Sequence, residues 1–151
     1  MRIWLYYILF LISFDSLAQE LFVFEPINNN FSVAHGANVG SYTRVGQQML
    51  FEDKNNNTFE CVRLGKVINF KSSNEIGTYK AVGLHSIIFE SNHQIIYFNK
   101  EGDHYIVTEG KFSAVVSRMG NSFLVEANQS IDQEVIYKFG IILVYHLLDG
   151  V

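Results

Sequence analysis

Histidine and cysteine are the side chains best suited to chemistry near neutral pH, and this chain has five of one and one of the other. They are His35, His85, His93, His104, His146 and Cys61. His85 and His93 are spaced so that they could meet across a hairpin. Asp103 and His104 form an acid–base pair beside a turn glycine, Gly102. Neither pair sits in an HExxH, GxSxG or metal-ligating pattern, so solvated turn residues are the expectation. His146 falls in an apolar run and reads as a core histidine. Cys61 lies mid-segment in TFECVRL, where a buried, inert thiol is expected. The glycines are scattered one per turn, which excludes a phosphate-cradling Gly-x-Gly loop and is explained by left-handed turn conformations. The expectation is a protein with no catalytic, cofactor-binding or metal-ligating residue, and not an enzyme.

The elements that carry these residues begin after a leader. Met1-Arg2 gives a short positive start, Ile3–Phe14 an apolar stretch, and Ser16-Leu17-Ala18 small residues at peptidase spacing. Residues 1–18 are therefore expected to be a signal peptide, which places the protein outside the cytoplasm, periplasmic or secreted. A membrane anchor needs about 20 apolar residues, and Asp15 interrupts the run too early. Residues 19–151 then make one domain. Without Arg2 and Asp15 it carries ten basic and fourteen acidic residues with no runs of either sign. A concentrated basic face for nucleic acid is not visible in that pattern. A single cysteine allows no internal disulfide, so the fold must rest on its core. Asn30-Phe31-Ser32, Asn56-Asn57-Thr58 and Asn128-Gln129-Ser130 fit the N-glycosylation triplet, all in expected loops.

Between Gln19 and Ala127 turn residues cluster densely, from Asn28-Asn29-Asn30 to Met119-Gly120-Asn121, about every eight to eleven residues beyond Asp53. The segments between them are short and rich in β-branched and aromatic residues. In TFECVRL, Phe59, Cys61 and Arg63 share one face; in SFLVEA, Phe123 and Val125 share another. A period of two marks half-buried strands. Pro26 is the only proline, so little obstructs a hydrogen-bonded ladder.

The pattern changes after residue 130. Ser130 and Gln133 stand at capping-box spacing, and Ile136, Phe139, Leu143 and Leu147 form a helical stripe. Other apolar residues fill the remaining faces, so a helix over about 132–148 must be surrounded on all sides. The run Phe139–Leu148 is about half the length a membrane crossing needs. A final pair of strands is the competing reading, with Gly140 the only available break. In a helix, Gly140→Ala should be mild unless close packing requires the glycine.

Short strands in hairpins followed by a terminal apolar helix resemble the tubby-like and LURP-one-related barrels. The stretches that carry the resemblance are FEDKNNNTFECV (51–62), YFNKEGDHYIV (97–107) and YKFGIILVYHLLD (137–149), within roughly Gln47 to Asp149. The resemblance implies a closed antiparallel barrel around one C-terminal helix. Such proteins are largely intracellular and some bind phosphoinositides through basic residues. The leader and the scattered basic residues of this chain depart from that, and no binding residue carries over. The expected fold is mainly β: an antiparallel barrel or strongly curved sheet enclosing one hydrophobic helix. The expected function is an exported structural or interaction module. The alternative is a small barrel holding an apolar molecule, which needs an empty interior. The partner would then be a protein or an apolar small molecule. No cofactor, nucleic acid or membrane-spanning segment is expected.

Overall fold

The structure, a computed structural model, describes residues 20–27, 30–127 and 132–145. Twelve strands run in order: β1 (Glu20–Ile27), β2 (Asn30–His35), β3 (Ala37–Val45), β4 (Gln48–Asp53), β5 (Thr58–Leu64) and β6 (Val67–Ser72). They continue as β7 (Ile76–Val82), β8 (Ser86–Ser91), β9 (Ile95–Glu101), β10 (His104–Glu109), β11 (Phe112–Met119) and β12 (Ser122–Ala127). Each pairs antiparallel with the next, and β12 pairs with β1, with Glu20 opposite Ala127 and Phe24 opposite Phe123. The result is a closed barrel, so none of the described strands has an unpaired edge. Among the described residues one helix, α1 (Gln133–Tyr145), follows the last strand.

The alternation in the sequence sets the faces. Phe22, Phe24, Tyr42, Phe59, Cys61, Phe70, Tyr79, Phe98, Val116 and Val125 are all buried, while their strand neighbours are exposed or half-buried. The face expected for Phe59 and Cys61, and for Phe123 and Val125, is the buried one.

A repeat underlies the barrel. Gly46, Gly83 and Gly120 are 37 residues apart; so are Gly65 and Gly102, and Gly36 and Gly110 are separated by two such steps with Ser73 midway. All seven glycines have positive φ and sit in turns, which an L side chain resists. The barrel is therefore three four-stranded units: β1–β4, β5–β8 and β9–β12. The same period relates Gly40, Gly77 and Ala114, all on the buried face. A Cβ on Gly40 would sit 2.6 Å from the Phe51 ring, and one on Gly77 would sit 2.6 Å from the Phe89 ring. Each phenyl lies across the bare backbone of the neighbouring strand.

Because strands alternate in direction, the turns fall on two rims. The turns at Gly46, Gly65, Gly83, Gly102 and Gly120 lie on one, here the distal rim; those at Gly36, 54–57, 73–75, 92–94 and Gly110 lie on the other, the proximal rim. Helix α1 starts beside the proximal rim. Asp132 caps it, its Oδ1 accepting from the Glu134 N–H at 3.1 Å. The expected capping residue Ser130 lies outside the described residues, as do His146, Leu147 and Leu148. The competing reading of two final strands is overturned for 133–145, which is continuous helix. Every residue from Val135 to Tyr145 is buried. Phe139 packs against Phe24 of β1, Phe98 of β9 and Tyr105 of β10. Tyr137 packs against Phe51 of β4. The Tyr42 and Tyr79 hydroxyls donate to the carbonyls of Tyr137 and Lys138, at 2.5 and 2.8 Å. A carbonyl oxygen has two lone pairs, so it can take this bond as well as the one inside the helix.

Candidate functional site

The residues singled out in the sequence do not come together. His85 sits at the distal end of β8 and His93 at its proximal end, about 20 Å apart along the strand, so they cannot meet across a hairpin. His35 stacks on Phe22 with ring centroids 4.3 Å apart and bonds the Leu21 carbonyl through Nδ1. His93 contacts the Asn74 carbonyl through Nε2 at 2.9 Å. Asp103 is exposed at the Gly102 turn, and His104 opens β10 half-buried. Among the described residues, no group of three or more His, Cys, Asp or Glu side chains is placed to hold a metal ion.

What the fold assembles instead is a buried ion pair at the proximal end. Lys138, on α1, donates from Nζ to Glu75 Oε1 at 2.5 Å and to Oε2 at 3.0 Å. The two side chains are 2% and 6% exposed. Phe70 and Phe89 stand over the ammonium, with ring centroids 5.3 and 5.0 Å away. Ser91 Oγ donates to Glu75 Oε2 at 2.8 Å and also accepts from the His93 and Gln94 N–H groups. That arrangement is chemically closed. The serine donates to a carboxylate that the Lys138 ammonium already holds.

Beside the pair a recess of about 280 Å³ opens at the proximal rim, with Phe51, Phe59, Phe70, Asp53, Glu134 and Tyr137 in its walls. Its lip is the loop after β4, where Asp53 Oδ1 accepts from the Asn55 and Asn57 N–H groups and Asn56 takes φ 65°. Asp53 is thus occupied in holding its own turn.

The other end of α1 is met by arginines. Arg44 donates to the Val144 carbonyl at 3.1 Å and lies over the Tyr145 ring at 4.7 Å; Arg63 donates to the Tyr145 carbonyl at 3.4 Å. Both donate to carbonyls of the last described turn of α1, where a cation suits the negative pole of the helix dipole. Tyr145 donates in turn to the Gln47 carbonyl at 2.8 Å. The local code is Arg-x-Gly: Arg44, Arg63 and Arg118 each bond through Nε to the carbonyl of the glycine two residues on.

Burial governs the titration of the interior. It raises the Cys61 thiol well above its ordinary value, and it raises the Tyr42 and Tyr79 phenols likewise, with Tyr137 and Cys61 adding to the effect at Tyr42 and Cys61, Tyr42 and Glu75 at Tyr79. Tyr145 is pushed up to about 12 by burial first and by Cys61, against the lowering pull of Arg44 and Arg63. A phenol whose ionisation is raised by folding gives stability that is complete below the ordinary value of 10.0 and is lost as pH climbs past it. In an alkaline titration, Tyr42 and Tyr79 should therefore ionise only as the fold opens. A thiol reagent should likewise reach Cys61 in the native protein at least about a hundredfold more slowly than in guanidinium. Equal rates in the two states would contradict this account.

Sequence reasoning missed Glu75, Lys138, Tyr42, Tyr79, Arg44 and Arg63. A signal existed for several of them. Gly40-Ser41-Tyr42 and Gly77-Thr78-Tyr79 repeat at 37 residues, and a lysine inside an apolar helix demands a partner. Comparison with known proteins returned no matching family model, no matching curated protein and no matching solved structure.

Proposed function

We propose that this chain is an exported structural or interaction module whose own helix fills its barrel, built like the tubby-like and LURP-one-related barrels it resembles. The observation that carries this reading is the burial of Val135–Tyr145 on every face of α1. The side chains against it come from β1, β3, β4, β5, β7, β9 and β10, most of the barrel circumference. A barrel wider than eight strands has room for more than its own side chains, and a helix about 10–12 Å across suits that space. The ligand-carrier alternative needs the same volume empty. Export rests on residues 1–18, outside the described residues. The closed chemistry of Ser91, Glu75 and Lys138 supports a module rather than a catalyst.

The test is a titration of the exported protein with a fluorescent fatty acid and an environment-sensitive apolar dye. No saturable binding is expected while the protein is folded. Stoichiometric binding displaced by long-chain fatty acids would establish the carrier reading instead. The mass of the same preparation should correspond to a chain beginning at Gln19; retention of Met1–Phe14 would overturn export by cleavage.

A further inference from the structure

The sequence spreads its charges evenly, but the barrel sorts them. On the distal half lie Arg44, Arg63, Lys66, Lys80, Lys100 and Arg118, six basic residues against three acidic ones, Glu25, Glu101 and Asp103. The proximal half, with the start of α1, has four basic residues, Lys54, Lys71, Lys111 and Lys138, against ten acidic ones. The described molecule is thus polarised, net positive at one rim and net negative at the other. Arg44, Arg63 and Arg118 bond carbonyl oxygens there, which leaves their formal charge in place.

Exposed apolar side chains are also more numerous at the distal rim, although Ile76 and Ile95 protrude at the proximal one. Val45, Leu64, Val82 and Met119 each immediately precede a turn glycine, and Leu84 follows one. They are 74, 62, 50, 60 and 82% exposed. Four separate hairpins therefore end in an apolar residue at the apex, and on three of them an arginine stands one position further from the apex. Apolar tips beside the exposed Lys66, Lys80 and Arg118 match the layering of a bilayer surface, where acyl chains lie beneath phosphates. A groove-binding partner would instead call for one contiguous apolar patch.

We propose that the distal rim docks on an anionic phospholipid bilayer, its apolar tips entering the interface and its basic residues facing the phosphates. The acidic proximal rim then points away from the membrane, the orientation that a negative surface potential favours. The contact is interfacial, and it names a partner for the module proposed above. Failure of the vesicle test leaves that module reading standing, because the apolar-ligand titration examines the interior alone.

The experiment uses the mature chain with vesicles of phosphatidylcholine alone and of phosphatidylcholine with roughly a third phosphatidylglycerol. Sedimentation should show binding to the anionic vesicles that weakens with added salt. Leu64→Ser with Leu84→Ser, and separately Lys66→Glu with Lys80→Glu, should each weaken it by at least about tenfold. All four positions are exposed, and circular dichroism and the unfolding midpoint should match the parent. Ile76→Ser with Lys71→Glu on the proximal rim should leave binding unchanged. The proposal is overturned if anionic vesicles bind no protein, or if the proximal variant loses as much as the distal ones. It is equally overturned if the distal variants abolish self-association in gel filtration while vesicle binding is absent.

Discussion

Gly140→Ala is expected to cost on the order of 3 kcal/mol or more, or to prevent soluble folding, although alanine is the better helix former by about 1 kcal/mol. A Cβ at this position would run into the hydroxyl and Cζ of Tyr42 and come within 2.7 Å of Phe24. Neither neighbour is a loose end. The Tyr42 hydroxyl bonds the Tyr137 carbonyl at 2.5 Å, and its ring packs on Phe51 at 4.7 Å. Phe24 is fully buried against Phe139 and Tyr42. Relief requires moving the helix or breaking a buried hydrogen bond, and the second alone costs about 1–3 kcal/mol. A domain of this size has about 5–15 kcal/mol in total. Urea unfolding checks this: the midpoint should fall with the slope unchanged. Tyr42→Phe removes one of the clashing atoms, so adding it to Gly140→Ala should cost less than the two separate losses together. A midpoint at or above the parent's would show that the glycine is not needed for fit.

From sequence alone, helix propensity makes Gly140→Ala mild unless close packing requires the glycine, and the structure supplies that exception. Propensity is local, and the residue that decides the outcome, Tyr42, is 98 positions away in the chain. The same divide separates the rest of what could be read. Strands were legible because Phe59 and Cys61 alternate with the exposed Thr58 and Glu60, and a period of two is visible in any short window. The helix was legible from the stripe Ile136–Phe139–Leu143. The closure of β1 on β12 was not, since Glu20 and Ala127 carry no signal of facing each other. The 37-residue repeat was present in the glycine spacing, yet the outward residues between those glycines differ from unit to unit and hide it. Charge polarity was invisible because up-and-down strands interleave the two rims along the sequence. Lys66 and Lys71 are five residues apart and lie at opposite rims. Glu75 read as part of a turn, and only the return of α1 beside the proximal rim gives it a partner.

That partnership yields the second large effect. Lys138→Met should cost about 3–5 kcal/mol, because it leaves Glu75 buried with only Ser91 to satisfy it. The methionine itself is well suited to the site, being close in volume and flanked by Phe70 and Phe89, so lost packing does not account for the loss. Glu75→Gln strands the ammonium in the same way, although an amide oxygen can still accept one bond from it. The two changes together remove both charges and should be markedly less destabilising than Lys138→Met alone. Replacing a whole buried pair by neutral groups is often close to neutral in stability. The coupling between the positions, read from urea midpoints of the parent, the two single variants and the double variant, should therefore exceed about 2 kcal/mol. A surface pair would give less than about 1 kcal/mol. Coupling that small would mean that water reaches Glu75 through the proximal recess and solvates it once Lys138 is gone. The exposures of 2% and 6% argue against that, since the carboxylate is already shut off from solvent in the parent fold. A single variant as stable as the parent would remove the pair from the interactions that hold α1 in place.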